Sequence, residues 1–305
     1  MAGGRGRRPG HTGRRAPLPG GTAVNRSLAG RVVIVTGVTA GIGRATAVRL
    51  LAAGATVVGC ARDADRLRAV TPELPGLVPV RCDVRDRLDR ESLVDGTLQR
   101  YGRVDVLVSN AGLGYVGRVV DMTADDAERV MGTNAVGPID LTRLVLPGML
   151  ARGDGDLLFV SSGAVWLTTP PLTVYSASKH AVDGFVQGLR REVAGGAVRV
   201  HSVNPGFVAT EFLARAVGYD PREGDPDVRP APGVDPDRVA RVAERELRSG
   251  RGRTVAVPRA IGLGRALGLP PLSHAVDLGT RLASGPLVRL ARRLAADRTP
   301  GADAR

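Results

Sequence analysis

Lysine is almost missing from this chain of 305 residues: of 43 basic side chains, 42 are arginine and the remaining one is Lys179. Cysteine is nearly as scarce. Cys60 and Cys82 alone exclude a disulfide framework and a cysteine-rich zinc site. The four histidines do not pair at metal-ligand spacing, so no metal is expected. The N-terminus is Gly/Pro/Arg-rich and lacks the apolar stretch of a secretory signal, so a cytoplasmic protein is expected. The longest uncharged run, residues 157–178, reaches membrane-spanning length, but Ser161, Ser162, Thr168, Thr169, Pro170 and Pro171 interrupt it and argue against a spanning helix. Two cysteines and no export signal fit a reducing compartment.

What is present describes a globular chain. Hydrophobic residues make up 43% and charged residues 24%, enough to build a real core. The net charge of +13 is unevenly placed: residues 1–30 contribute +6, residues 251–305 contribute +7, and the body between them is neutral. Abundant Ala, Gly, Arg and Pro indicate a coding bias toward arginine, so the high isoelectric point says little about partners. The same bias makes Lys179 conspicuous, because an ammonium and a guanidinium differ in geometry and in how readily they shift pKa.

Residues 1–27 read as a disordered basic arm. Short apolar, β-branched runs follow at 31–36, 56–61, 78–81, 105–109, 157–161, 198–203 and 254–257. Helical spacing separates most of them, at 43–53, 88–101, 124–150, 175–193 and 236–249. Such alternation predicts a parallel α/β sheet of about seven strands, doubly wound, with helices on both faces. Residues 28–258 form that domain. Within it, 207–235 is rich in Pro, Gly and Asp and suits a segment beside a site. Residues 259–305 read as an Arg-rich amphipathic helical extension.

Between the first strand and first helix runs Gly37-Val38-Thr39-Ala40-Gly41-Ile42-Gly43. Glycines there let the turn tighten and bring backbone N–H groups to a pyrophosphate at the helix N-terminus. Further on stand Ser109-Asn110-Ala111-Gly112 after the fourth strand, then Asn134, Ser162, and Tyr175 with Lys179 four residues later on one helix face. Taken in order, these motifs resemble the short-chain dehydrogenase/reductase family of the ordinary, non-extended type, over about residues 28–258. The resemblance implies a Rossmann fold and hydride transfer between a nicotinamide dinucleotide and a carbonyl or secondary alcohol.

The family's roles carry over residue by residue. Tyr175 is the implied proton carrier; a free phenol, with a pKa of about 10, is a poor one at neutral pH, and an adjacent ammonium favours its ionised form. Lys179 is implied to supply that charge and to hold the nicotinamide ribose. Ser162, thirteen residues before Tyr175, is implied to orient the substrate oxygen; Ser161 reads as a strand-end residue. Asn134 matches the position that holds a water in the proton relay. Gly37, Thr39, Gly41, Ile42 and Gly43 are the implied pyrophosphate turn, Asp83-Val84 the adenine-contacting pair, and Asn110, Ala111 and Gly112 the wall beside the cofactor. Pro205-Gly206 with Val208 and Thr210 resembles the segment over the nicotinamide.

After the second strand, Ala61 stands where NAD-preferring relatives place an acid and Arg62 follows, the pattern used for a 2′-phosphate. NADP(H) is therefore expected over NAD(H), with Asp63 as the contrary signal. Trp166, Leu167, Phe207 and Phe212, with the family analogy, point to a hydrophobic ketone or hydroxy compound, and the loop with Phe212 and Tyr219 is expected to close on it. Relatives are commonly dimers or tetramers, which makes a homodimer or homotetramer the expectation. The arm lacks interleaved aromatics, so no nucleic acid is expected; the helix near 287–294 has the pattern of one docked on its own domain, with peripheral membrane contact as the alternative. Two other functions remain in view: a dinucleotide sensor or scaffold without turnover, and a protein acting through its basic tails.

Overall fold

The β-branched run after the arm forms β1 (Val32–Thr36), buried along its whole length. In the computed structural model, residues 25–166, 168, 170–218 and 233–263 are described. Most of the arm, Leu167, Tyr219 and the helix expected near 287–294 lie outside them. The remaining strands are β2 (Thr56–Ala61), β3 (Val78–Arg81), β4 (Val106–Ser109), β5 (Gly155–Val160), β6 (Val198–Pro205) and β7 (Thr254–Val257). They pair in the order β3-β2-β1-β4-β5-β6-β7, every pair parallel.

Continuous apolar strands are what a sheet covered on both faces requires, and the side chains divide with period two. Val33, Val35 and Val57 face one core, closed by α1 (Gly41–Ala52) and α7 (Pro236–Ser249) through Ala47, Leu50, Val239, Ala243 and Leu247. Ile34, Val58, Leu107, Leu157 and Phe159 face the other. That core is closed by α3 (Arg87–Tyr101), α5 (Gly137–Arg152) and α6 (Thr173–Glu192) through Leu93, Leu141, Val145, Val182 and Val186.

Two local departures from expectation have identifiable causes. The short α2 (Ala64–Val70) was not anticipated; Asp63 caps it, accepting from the backbone N–H groups of Asp65 and Arg66. The expected helix over 124–150 is two helices, α4 (Ala124–Met131) and α5, joined by a π-helical turn at Gly132–Val136. Pro138 has no N–H to donate to the Asn134 carbonyl four residues earlier, so regular α-helix cannot run through this point. A Cβ on Gly137 would stand 2.6 Å from the Val84 carbonyl oxygen, which is how closely α5 approaches the end of β3.

At the N-terminal edge of the sheet, wholly buried Asp156 on β5 gathers its neighbours. Its carboxylate accepts from Arg31 at 2.6 Å, Arg199 at 2.7 Å and Arg26 at 3.0 Å, with His201 Nε2 3.0 Å away. Burial would raise this carboxyl; the bonds from His201 and Arg199 overcome it and hold Asp156 well below the usual carboxylate range. A depressed folded-state pKa gives stability that is present at neutral pH and lost as pH falls. Asp156→Asn is therefore expected to lower the unfolding free energy by about 3 kcal/mol in urea titrations at pH 7. The gap between variant and wild type should narrow as the pH is taken down toward 3, and equal stability at pH 7 would refute the assignment.

Candidate active site

The glycine turn is held in place from across the sheet. Gly37 and Gly41 take left-handed backbone angles, φ +75° and +55°, which glycine adopts without strain. Asn110, just past β4, donates its Nδ2 to the carbonyls of Thr36 at 2.9 Å and Gly37 at 3.2 Å. In return the Thr36 hydroxyl accepts from the backbone N–H of Asn110 and of Ala111. Gly43 does not face the cavity as expected; a Cβ there would lie 2.1 Å from the Gly37 oxygen, so its bare backbone lets α1 close onto the turn. Asn110 and Ala111 thus both line the cavity and splint the turn.

From this turn a cavity of about 870 Å³ runs along the C-terminal edge of the sheet. Its walls include Gly37, Thr39, Gly41, Ile42, Arg62, Asp83, Val84, Asn110, Ala111 and Gly112 at one end and Ser162, Tyr175, Lys179, Pro205, Gly206, Val208 and Thr210 toward the other. The residues fit a dinucleotide. Ala40 caps α1 without a side-chain acceptor and the first turn holds no acid, leaving amide N–H groups aimed at an anion.

At the reaction end, β5 delivers Ser162 into a short 3₁₀ turn, where its Oγ accepts from the Ala164 N–H at 3.1 Å. Tyr175 and Lys179 come from one face of α6. Lys179 is buried; its ammonium donates to the Val160 carbonyl at 3.1 Å and stands 5.8 Å from the centre of the Tyr175 ring. Burial pushes Lys179 down to about 8. Burial also pushes the half-buried Tyr175 phenol up, and hydrogen bonding with Ser162 pulls it back. The lowering expected from the ammonium is thus opposed by desolvation.

Asn134 sits behind the cavity wall, not on it. Both its Nδ2 protons are used, one to the Leu113 carbonyl at 2.8 Å and one to Ser178 Oγ at 2.9 Å, while its Oδ1 accepts from the Leu113 N–H at 2.7 Å. Its main-chain carbonyl lacks the α-helical donor four residues on, because that residue is Pro138.

At the other end, exposed Arg62 makes no hydrogen bond or ion pair among the described residues, whereas Asp63 spends its carboxylate on capping α2. Asp83 is held by Arg85 at 2.7 Å, and despite partial burial its carboxyl lies below the usual value. Over the middle, the Thr210 methyl lies 3.0 Å from where a Gly41 Cβ would stand. Phe212 meets the Tyr175 ring edge-on, centroids 5.6 Å apart.

Several lining residues were not anticipated. Thr133 follows from the π-helical turn, and Leu113, Leu172, Leu213 and Ile261 add apolar surface to that of Phe207 and Phe212. Ile261 belongs to a 3₁₀ turn beyond β7 (Arg259–Leu263) and packs into space left by Gly163 and Gly206. Arg66 and Arg215 also line the cavity; in a chain where arginine is the default base, nothing in the sequence marked them. Trp166 is not on the cavity wall.

Comparison with known proteins meets this geometry at the family level. The short chain dehydrogenase family model matches residues 31–218. The bovine (Bos taurus) dehydrogenase/reductase SDR family member 7B is 38% identical over 220 residues, 68% of this chain and 68% of its own. Among solved structures, a short-chain dehydrogenase/reductase from Burkholderia phymatum in complex with NAD superposes with TM-score 0.71 at 25% identity, covering 79% of this chain and 94% of that one. The closed form of serine dehydrogenase complexed with NADP+ gives 0.69 at 29% identity, covering 74% and 93%. With the sheet order, the glycine turn and the Ser162–Tyr175–Lys179 grouping in place, the chain belongs to the short-chain dehydrogenase family.

Proposed function

We propose that this protein interconverts an apolar ketone and the corresponding secondary alcohol with NADP(H). The observation that carries the reading is the convergence of Ser162, Tyr175 and buried Lys179 at one end of a cavity whose other end is an uncapped helix N-terminus beside a free Arg62. When bound, the nicotinamide supplies or accepts the hydride at the carbonyl carbon. Ser162 holds the carbonyl oxygen by hydrogen bonding. Tyr175 delivers the proton from its Oη to that oxygen in reduction and takes it back in oxidation. Burial keeps the phenol protonated at neutral pH, which suits the reducing direction. Lys179 supplies the charge that steadies the phenolate left behind, and a water on the Asn134 carbonyl returns the proton from solvent. Leu113, Leu172, Phe207, Phe212, Leu213 and Ile261 give the substrate an apolar surround.

Support for NADP(H) over NAD(H) is electrostatic. Asp63, the one acid that could grip a ribose hydroxyl from this loop, is committed to the α2 backbone, whereas Arg62 makes no hydrogen bond or ion pair among the described residues and has Asp83 as a charged neighbour. A charge-assisted contact from Arg62 is worth about 1.5–3 kcal/mol, so fluorescence titration should show NADPH binding about ten- to a hundredfold tighter than NADH. Equal or reversed affinities would remove the NADP reading, and binding of neither would favour a protein acting through its tails.

Tyr175→Phe should fold and bind NADPH as wild type does yet reduce apolar test ketones at least a thousandfold more slowly. Wild-type rates in that variant would refute the mechanism, and no turnover by the wild type across a broad ketone panel would favour the dinucleotide sensor.

Lys179 should set the alkaline limb of activity. An ammonium brought down to about 8 is charged below that pH and neutral above it, so kcat/KM for reduction should be flat below pH 8 and fall above it. In Lys179→Arg the guanidinium stays charged, and whatever activity remains should lose this inflection. An unchanged inflection would assign it to another group.

A further inference from the structure

Arg215 is an arginine that the hydride-transfer reading leaves unused, yet it lines the same cavity as Arg62 and Arg66. It lies in the turn that follows Thr210, far in sequence from β2 and α2. That turn is tied down beyond it: Val217 pairs with Tyr115 as a β-bridge and donates its N–H to the Gly114 carbonyl at 2.9 Å. The three guanidinium groups are close enough for Arg62 and Arg66 to depress the basicity of Arg215, after the effect of its own burial.

The acids nearby do not neutralise this cluster. Asp63 caps α2 and stands 3.4 Å from Arg66, and Glu211 pairs with Arg215 within the same turn. Asp83 is paired with Arg85 and lies near enough to Arg62 to feel its charge. Arg62 itself makes no hydrogen bond or ion pair among the described residues. Three like charges with two acids among them form a site short of one anion, and its position at the C-terminal end of β2 is where the ribose of a bound dinucleotide lies in such folds. Planar guanidinium forks and the three oxygens of a phosphate are well matched.

We propose that Arg215 is the third arm, with Arg62 and Arg66, of a phosphate site that clasps the 2′-phosphate of NADP(H) from the side of the substrate pocket. This rests on the NADP(H) reading above and extends it. Because Phe212 and Arg215 share one turn, the phosphate also fastens the segment that sets Phe212 against Tyr175. NADH, lacking that phosphate, leaves the turn unfastened.

The test is a set of titrations of the full-length protein with NADPH, NADH, adenosine 2′,5′-bisphosphate and AMP, in wild type and in Arg215→Gln, Arg62→Gln and Glu211→Gln. Arg215→Gln should weaken NADPH and the bisphosphate about tenfold and change NADH and AMP less than twofold. Glu211→Gln, which releases Arg215 from its in-turn partner, should tighten the two ligands that carry a 2′-phosphate severalfold. Hydrogen exchange over residues 211–217 should slow more with saturating NADPH than with NADH, and that difference should vanish in Arg215→Gln. If Arg62→Gln loses NADPH selectivity while Arg215→Gln keeps it, the proposal fails and the cofactor reading stands. Equal losses for NADH and NADPH in Arg215→Gln would also overturn it, by assigning Arg215 to the shape of the turn. Wild type showing no preference between NADPH and NADH would remove both readings.

Discussion

Seven parallel strands place all their C-terminal ends on one edge of the sheet, and everything the site uses hangs from that edge. Parallel strands need long crossovers, which here are helices packed on both faces. The helices bury the central strands almost completely, which leaves the strand ends as the place where functional groups emerge. The glycine turn and Asn110 directly follow β1 and β4, Ser162 stands two residues past β5, and Pro205-Gly206 spans the end of β6. The strand order changes direction at β1 and β4, opening a crevice between the loops that follow them. Asn110 and Thr36 bridge it with four hydrogen bonds, so the turn that faces a pyrophosphate is built from the backbone of one loop and the side chain of another.

This explains which parts of the protein could be read from residues alone. Strands such as Val32–Thr36 and Val106–Ser109 are almost continuously apolar, and that continuity is visible in the chain. The glycine turn and Tyr175 with Lys179 are local patterns, each held on a single element. The π-helical turn was hidden because hydrophobic spacing continues through it, and the break is written only in Pro138 and its flanking glycine. Ile261 and Arg215 were invisible for another reason. Each reaches the site from a loop with no periodicity, and its neighbours, Gly163 and Gly206 or Arg62 and Arg66, are distant in sequence.

The two edges of the sheet use charge in opposite ways. At the N-terminal edge, Arg26, Arg31 and Arg199 converge on Asp156, and fixed guanidinium forks satisfy a carboxylate that never needs to change charge. At the C-terminal edge a permanently charged group would be less useful under the roof of the site. Lys179 is buried there with a single main-chain acceptor, and its pKa falls into the range where proton traffic occurs. A chain that otherwise writes arginine keeps an ammonium where charge must be both buried and exchangeable.

Asn134 shows how far this placement reaches into the scaffold. Pro138 deprives the Asn134 carbonyl of the donor that an α-helix would place four residues on. The price is a widened turn, which has to be held by something other than its own helix. Asn134 supplies that hold with its side chain, locking both polar groups of Leu113 and reaching Ser178. Ser178 in turn donates to the Tyr175 carbonyl at 2.6 Å, one residue short of Lys179. The amide that stabilises the irregular turn therefore also fixes the helix carrying the tyrosine and the lysine. In this arrangement the asparagine side chain ties the irregular turn to the Leu113 backbone and to α6, and an aspartate there, lacking the two N–H donors, would leave the Leu113 carbonyl and Ser178 without them.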